Sequence, residues 1–120
     1  MRHRVTTADT AAAIGSGDVP VLTTRRLIAW MEAATVQRAT ELVDPASTTV
    51  GTAVRIEHRR ATPVGDSVDV VALAPTGVGG RRLTFVVEAF DTSGELVAAG
   101  EIDRAIVDRE RFLASTSPDS

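Results

Sequence analysis

Two polar side chains stand where polarity is costly. Glu32 interrupts the run Leu27–Val36 (LIAWMEAATV), which is otherwise apolar but for Thr35. His58 ends the alternation Val54–Ile56–His58 on the expected buried face of a strand. A carboxylate or an imidazole on an apolar face loses hydration unless it is paired or neutral. Groups held in that way are candidates for proton transfer. A glutamate and a histidine on neighbouring elements form an acid/base couple if they converge.

Three further sets of residues belong with them. Thr24, Ile28 and Glu32 are spaced i, i+4, i+8 and form one ridge of a helix. Thr24 and Glu32 are about 12 Å apart along such a helix, so they do not touch but both reach something lying along it. Thr24 is also a candidate helix cap, a role compatible with the first. Gly51, in TTVGTAV (Thr48–Val54), reads as a β-bulge or as a place where a ligand approaches the backbone. The pairs Arg59-Arg60 and Arg81-Arg82 are solvated strand ends or phosphate ligands. Bland readings stand beside the chemical ones. Glu32 would also suit an interface pair with an arginine of another chain, or the wet edge of an apolar arc. His58 would also suit a core position bonded to a carbonyl.

Composition narrows the chemistry. There is no cysteine, so disulfides, thiol nucleophiles and cysteine zinc sites are excluded. Neither Glu32 nor His58 has a partner at metal-ligand spacing, so no metal is expected. All thirteen basic residues are Arg, which excludes Schiff-base lysine chemistry. The other histidine, His3, lies at a terminus expected to be mobile. A net charge of −3 argues against nucleic acid as a partner. No apolar stretch is long enough to cross a bilayer, and no secretory leader is visible. The expected location is cytoplasmic.

These residues need elements to carry them. The length of 120 residues suits one domain, expected over residues 1–113, with a disordered tail over 114–120. A first strand is expected over Arg4–Thr7. A helix capped by Thr23 or Thr24 should run from near Arg25 to about Val43, stopping before Asp44-Pro45. Its apolar positions surround the axis, which predicts burial on nearly all sides. Strands are expected over Thr49–Arg60, Asp66–Ala74, Arg82–Asp91 and Leu96–Val107, with turns at Thr62–Gly65, Thr76–Gly80 and Asp91–Gly94. The class is α+β: an antiparallel sheet wrapped around one long buried helix.

With these elements in view, the chain resembles the hotdog-fold thioesterases of the fluoroacetyl-CoA thioesterase type. The matching text is Thr24 and Glu32 in the helix, then VGTA-x4-H (Val50–His58), ATPVG (Ala61–Gly65), GRRL (Gly80–Leu83) and RAIV (Arg104–Val107). The resemblance covers roughly residues 20–113 and implies a hotdog fold and a homodimer, or a higher oligomer, with acyl-CoA sites at the interface. It implies Thr24, Glu32 and His58 as the catalytic set and the Gly51 amide as donor to the thioester carbonyl. No cofactor follows beyond the coenzyme A of the substrate. The family often has T-H-E-R where this chain has Glu101–Arg104. The expected activity is hydrolysis of a small acyl-CoA. A non-catalytic acyl-CoA or small-ligand binding protein and a hydratase or dehydratase on the same scaffold are the alternatives.

Overall fold

The computed structural model describes residues 1–116, the side chains of residues 77–79 excepted. The elements in order are β1 (Arg2–Arg4), a 3-10 turn (Thr7–Asp9), α1 (Ala11–Ile14), α2 (Thr24–Thr40), β2 (Ser47–His58), β3 (Ser67–Ala72), β4 (Thr76–Gly79), β5 (Arg82–Asp91), β6 (Leu96–Asp108) and α3 (Arg109–Ser115). All strand pairs are antiparallel, in the order β1-β3-β5-β6-β2, with β4 on β5. Helix α2 lies across β2, β3 and β5. The hotdog arrangement of a curled sheet around one helix is therefore the architecture of this chain.

The packing follows from two periods. Leu83, Phe85, Val87 and Ala89 alternate along β5 and are buried against Leu27, Met31 and Ala34 of α2. Val68, Val70 and Ala72 of β3 and Ala98 and Ile102 of β6 extend the same layer. The sharp reversals after β2 and β5 use glycines in the left-handed region, Gly65 (φ 99°) and Gly94 (φ 81°).

Several expectations need correction. The first strand is Arg2–Arg4 rather than Arg4–Thr7. His3 is therefore not at a mobile end: it pairs with Val68 and stacks on Trp30, ring centroids 4.4 Å apart. Helix α2 ends at Thr40, so Leu42 lies beyond it, and the helix is not buried on all sides, with Val36 44% exposed. The Thr76–Gly80 turn contains a short strand, β4. The expected tail begins inside α3, which Asp108 caps by accepting a bond from the Arg111 amide at 2.9 Å. Positions 117–120 of that tail lie outside the described residues. No helix among the described residues is long and apolar enough to cross a membrane.

Candidate functional site

The start of α2 is built in an unusual way. Thr23 holds the extended N-cap conformation but makes no side-chain bond to the helix amides. Its hydroxyl instead contacts Ser16 Oγ at 2.9 Å, which ties the loop after α1 to the helix start. Thr24, one residue on, turns its hydroxyl to the end of β2, where Thr24 Oγ1 lies 2.9 Å from His58 Nδ1. Val54, Ile56 and His58 oppose Ile102, Gly100 and Ala98 in the ladder, so His58 points to the helix face of the sheet.

His58 is half-buried, and desolvation pushes its pKa below 6.5, opposed by the backbone of Arg60. Its Nε2 is buried without a hydrogen-bond partner among the described residues. The neutral imidazole is therefore favoured. In the tautomer that carries its proton on Nε2, Nδ1 accepts from the Thr24 hydroxyl, which is the geometry of a hydroxyl nucleophile beside its base. A cleft of about 340 Å³ opens onto this pair. Its walls include Ser16, Arg25, Arg59, Arg60 and Ala61. Arg59 and Arg60 make exposed ion pairs with Glu57 (3.1 Å) and Glu95 (3.3 Å), which cost little to exchange for a ligand. Arg25 makes no ion pair among the described residues.

A second cluster lies two turns along α2. Glu32 is half-buried and faces Gly51 near the other end of β2. A methyl group built on Gly51 would lie 3.4 Å from Glu32 Oε2 and 3.6 Å from Arg104 Nη1. Arg104 is 6% exposed, and its guanidinium donates to Thr49 Oγ1 at 2.8 Å and to Thr49 O at 3.0 Å. Burial pushes the Arg104 pKa down while the nearby Glu32 carboxylate holds it up. The Glu32 and Arg104 side chains thus stand around one small residue.

The structure brings Thr24 to His58 and Glu32 to Gly51, but it does not bring the four together in one chain. Gly51 and His58 oppose Arg104 and Ala98, six steps apart along the ladder, which is about 20 Å. The cleft at Thr24 is lined by neither Glu32 nor Gly51. The arginine pairs are also separated. The Arg59 and Arg60 amides bond to Val97 O at one end of β6, and Arg81 O accepts from Ile106 at the other. Arg81 and Arg82 are thus remote from the Thr24 cleft.

Sequence reasoning missed Arg104, Arg25 and Ser16. The signal for Arg104 was present: it alternates with Ile102 and Ile106 on the helix face, the same anomaly that singled out His58. Arg25 and Ser16 had none, because an exposed arginine and a loop serine are ordinary. No group of three or more His, Cys, Asp or Glu suited to a metal occurs among the described residues.

Residues 5–110 match the family described as "FlK: Fluoroacetyl-CoA-specific thioesterase". A fluoroacetyl-CoA thioesterase of Streptantibioticus cattleyicolor is 35% identical over 94 residues, 78% of this chain and 66% of that protein's length. Among solved structures, a mutant of the fluoroacetyl-CoA-specific thioesterase FlK in complex with fluoroacetate and CoA superposes with a TM-score of 0.84 at 28% identity, over 96% of this chain and 93% of that one. A Thermus thermophilus member of the thioesterase superfamily gives 0.87 at 25% identity, over 96% and 84%.

Proposed function

The chain belongs to the fluoroacetyl-CoA-specific thioesterase family, and from that premise we propose that it hydrolyses a small acyl-CoA thioester to the free acid and CoA. The observation that carries the reading is the 2.9 Å contact of Thr24 with a desolvated His58 at the floor of a cleft. His58 takes the Thr24 proton on Nδ1 as Oγ1 attacks the thioester carbon. The C–S bond breaks, and the same proton goes to the departing sulfur. The acyl-threonine then reacts with water, again with His58 as base. Arg59 and Arg60, joined by Arg25, hold the anionic part of CoA at the mouth. The reaction needs no cofactor, since CoA enters with the substrate.

Glu32 and the Gly51 backbone complete this site from a second copy of the chain. Strand β2 pairs with β6 alone among the described residues, so its 12 residues present an open edge, with Val54 40% exposed beside it. Such an edge is a template for another strand. Antiparallel pairing of two β2 edges about a two-fold axis lays the Gly51 end of each against the His58 end of the other. Two identical composite sites result. In each, the Gly51 amide stabilises charge on the carbonyl oxygen and Glu32 orients the hydrolytic water.

Release of free thiol from short acyl-CoAs tests the activity. Glu32→Gln and His58→Ala are each expected to lower kcat by about 10²–10⁴ while the oligomer persists. Hydrolysis at the unmodified rate by both variants would sink the catalytic assignment. Saturable acyl-CoA binding with no product would mark the chain as a binding protein, and loss of enoyl absorbance as a hydratase.

A further inference from the structure

Gly51 lies on the face where it meets Glu32 only because β2 is irregular. A regular strand puts residues of like parity on one face. Here Gly51 shares the helix face with Val54, Ile56 and His58, although it stands an odd three positions before Val54. The register explains this: Gly51 opposes Arg104 and Ala53 opposes Asp103, so Thr52 is an inserted residue. Without that bulge every side chain before it would change faces, and Gly51 would leave Glu32 and Arg104.

The outer face of the sheet holds the bulge in place. Asp103 sits beside Ala53 in the ladder and is only 7% exposed. Arg55, two residues past the bulge, reaches back diagonally and grips it with a fork, Nη1 to Oδ2 at 3.0 Å and Nη2 to Oδ1 at 2.9 Å. Thr84 of β5 donates to Oδ1 at 2.9 Å from the other side. The hydroxyl of the inserted Thr52 donates to the Asp103 carbonyl at 3.3 Å. The carboxylate thus connects β2, β5 and β6 at the irregular step. Neither Asp103 nor Arg55 reaches the helix face, so the proposed chemistry leaves this buried carboxylate without a task.

We infer that Asp103 and Arg55 are positioning residues: from the outer face they lock the Thr52 bulge, and so set the Gly51 backbone beside Glu32 for the thioester carbonyl. The inference rests on the thioesterase reading for its kinetic consequence, though not for its structural one. A displacement of the order of 1 Å at a reacting centre costs up to about a hundredfold in rate.

The experiment compares Asp103→Asn and the milder Arg55→Lys with Glu101→Gln. Glu101 also touches Arg55, at 3.3 Å, but makes no bond to the bulge. Both clamp variants are expected to lose roughly tenfold to a hundredfold in kcat with KM within twofold, and to shift the Gly51 amide resonance. Glu101→Gln should change neither. Loss of folded protein in step with activity, with the Gly51 resonance unmoved in the folded fraction, would make the clamp merely structural and overturn the inference. Unchanged kcat with an unchanged resonance would also overturn it. If the unmodified chain hydrolyses no short acyl-CoA, the thioesterase reading fails by itself, and the Gly51 resonance in Asp103→Asn still decides whether the clamp sets the bulge.

Discussion

The two ends of the α2–β2 contact are organised on different principles. At the Thr24 end the pair is neutral, hydrogen-bonded within the chain and open to a cleft. At the Glu32 end the side chains are ionic, gathered around a glycine, and held by a bulge and by Thr49. The first end has a base and a hydroxyl, with arginines in the cleft wall, but no carboxylate. The second has a cation, a carboxylate and a glycine between them but no hydroxyl–imidazole pair. Each lacks what the other holds, and the rise of an extended strand keeps them about 20 Å apart along one chain.

The division can be broken most directly by mixing chains. Homodimers of His58→Ala and of Glu32→Gln are expected to be nearly inactive. If the site combines Thr24 and His58 of one chain with Glu32 and Gly51 of the other, co-refolding equal amounts restores activity. Half of the dimers are then mixed, and one of the two sites in each is intact, so roughly a quarter of wild-type activity returns. Activity that stays at the level of the separate variants would overturn the composite reading.

Gly51→Ala sharpens the character of the second end. The backbone at Gly51 is not in the left-handed region, and the added methyl meets only ordinary contacts with Glu32 and Arg104. Stability should therefore change by less than about 1 kcal/mol. The methyl fills the space where a carbonyl would lie, so kcat should fall by roughly tenfold to a hundredfold. Melting temperature and kcat measured on the same sample separate the two. A large stability loss with little change in kcat would return Gly51 to a structural role.

The two ends also differed in how far the sequence disclosed them. Strand β5 was legible to the residue, because Leu83, Phe85, Val87 and Ala89 alternate without interruption. Glu32 and His58 were legible as polar breaks in apolar periods. What escaped was most of what depends on register. Arg104 interrupts an apolar period in the same way as His58, but its meaning depends on standing opposite Gly51; Gly51 did signal a bulge at this place in the strand, while the identity of the inserted residue, Thr52, had no local signature. Helix α2 was overextended towards Val43 and judged buried all round, because composition alone does not say which flank the sheet covers. His3 was set aside as a chain-end residue, yet its ring finds Trp30 through pairing with β3, a contact between segments far apart in sequence.

The smallest expected effect concerns protons, and it separates the neutral end from the ionic one. As base, His58 must be uncharged, and burial lowers its pKa from 6.5. The acid limb of kcat/KM should therefore lie below pH 6.5, where a solvent-exposed imidazole would already be mostly protonated. The sign for stability agrees. In the unfolded chain His58 titrates near its ordinary value, while the folded chain binds that proton less readily. Below about pH 6.5 the unfolded state takes up more protons, so stability falls as pH falls through this window. His58→Gln removes the imidazole without opening a large hole, and it should flatten that dependence. His3, also shifted downward by burial, contributes in the same direction and is the part that remains. A kcat/KM that instead falls as pH rises through the His58 titration would mean that His58 works as an imidazolium, and the Thr24 hydroxyl would then lose its base.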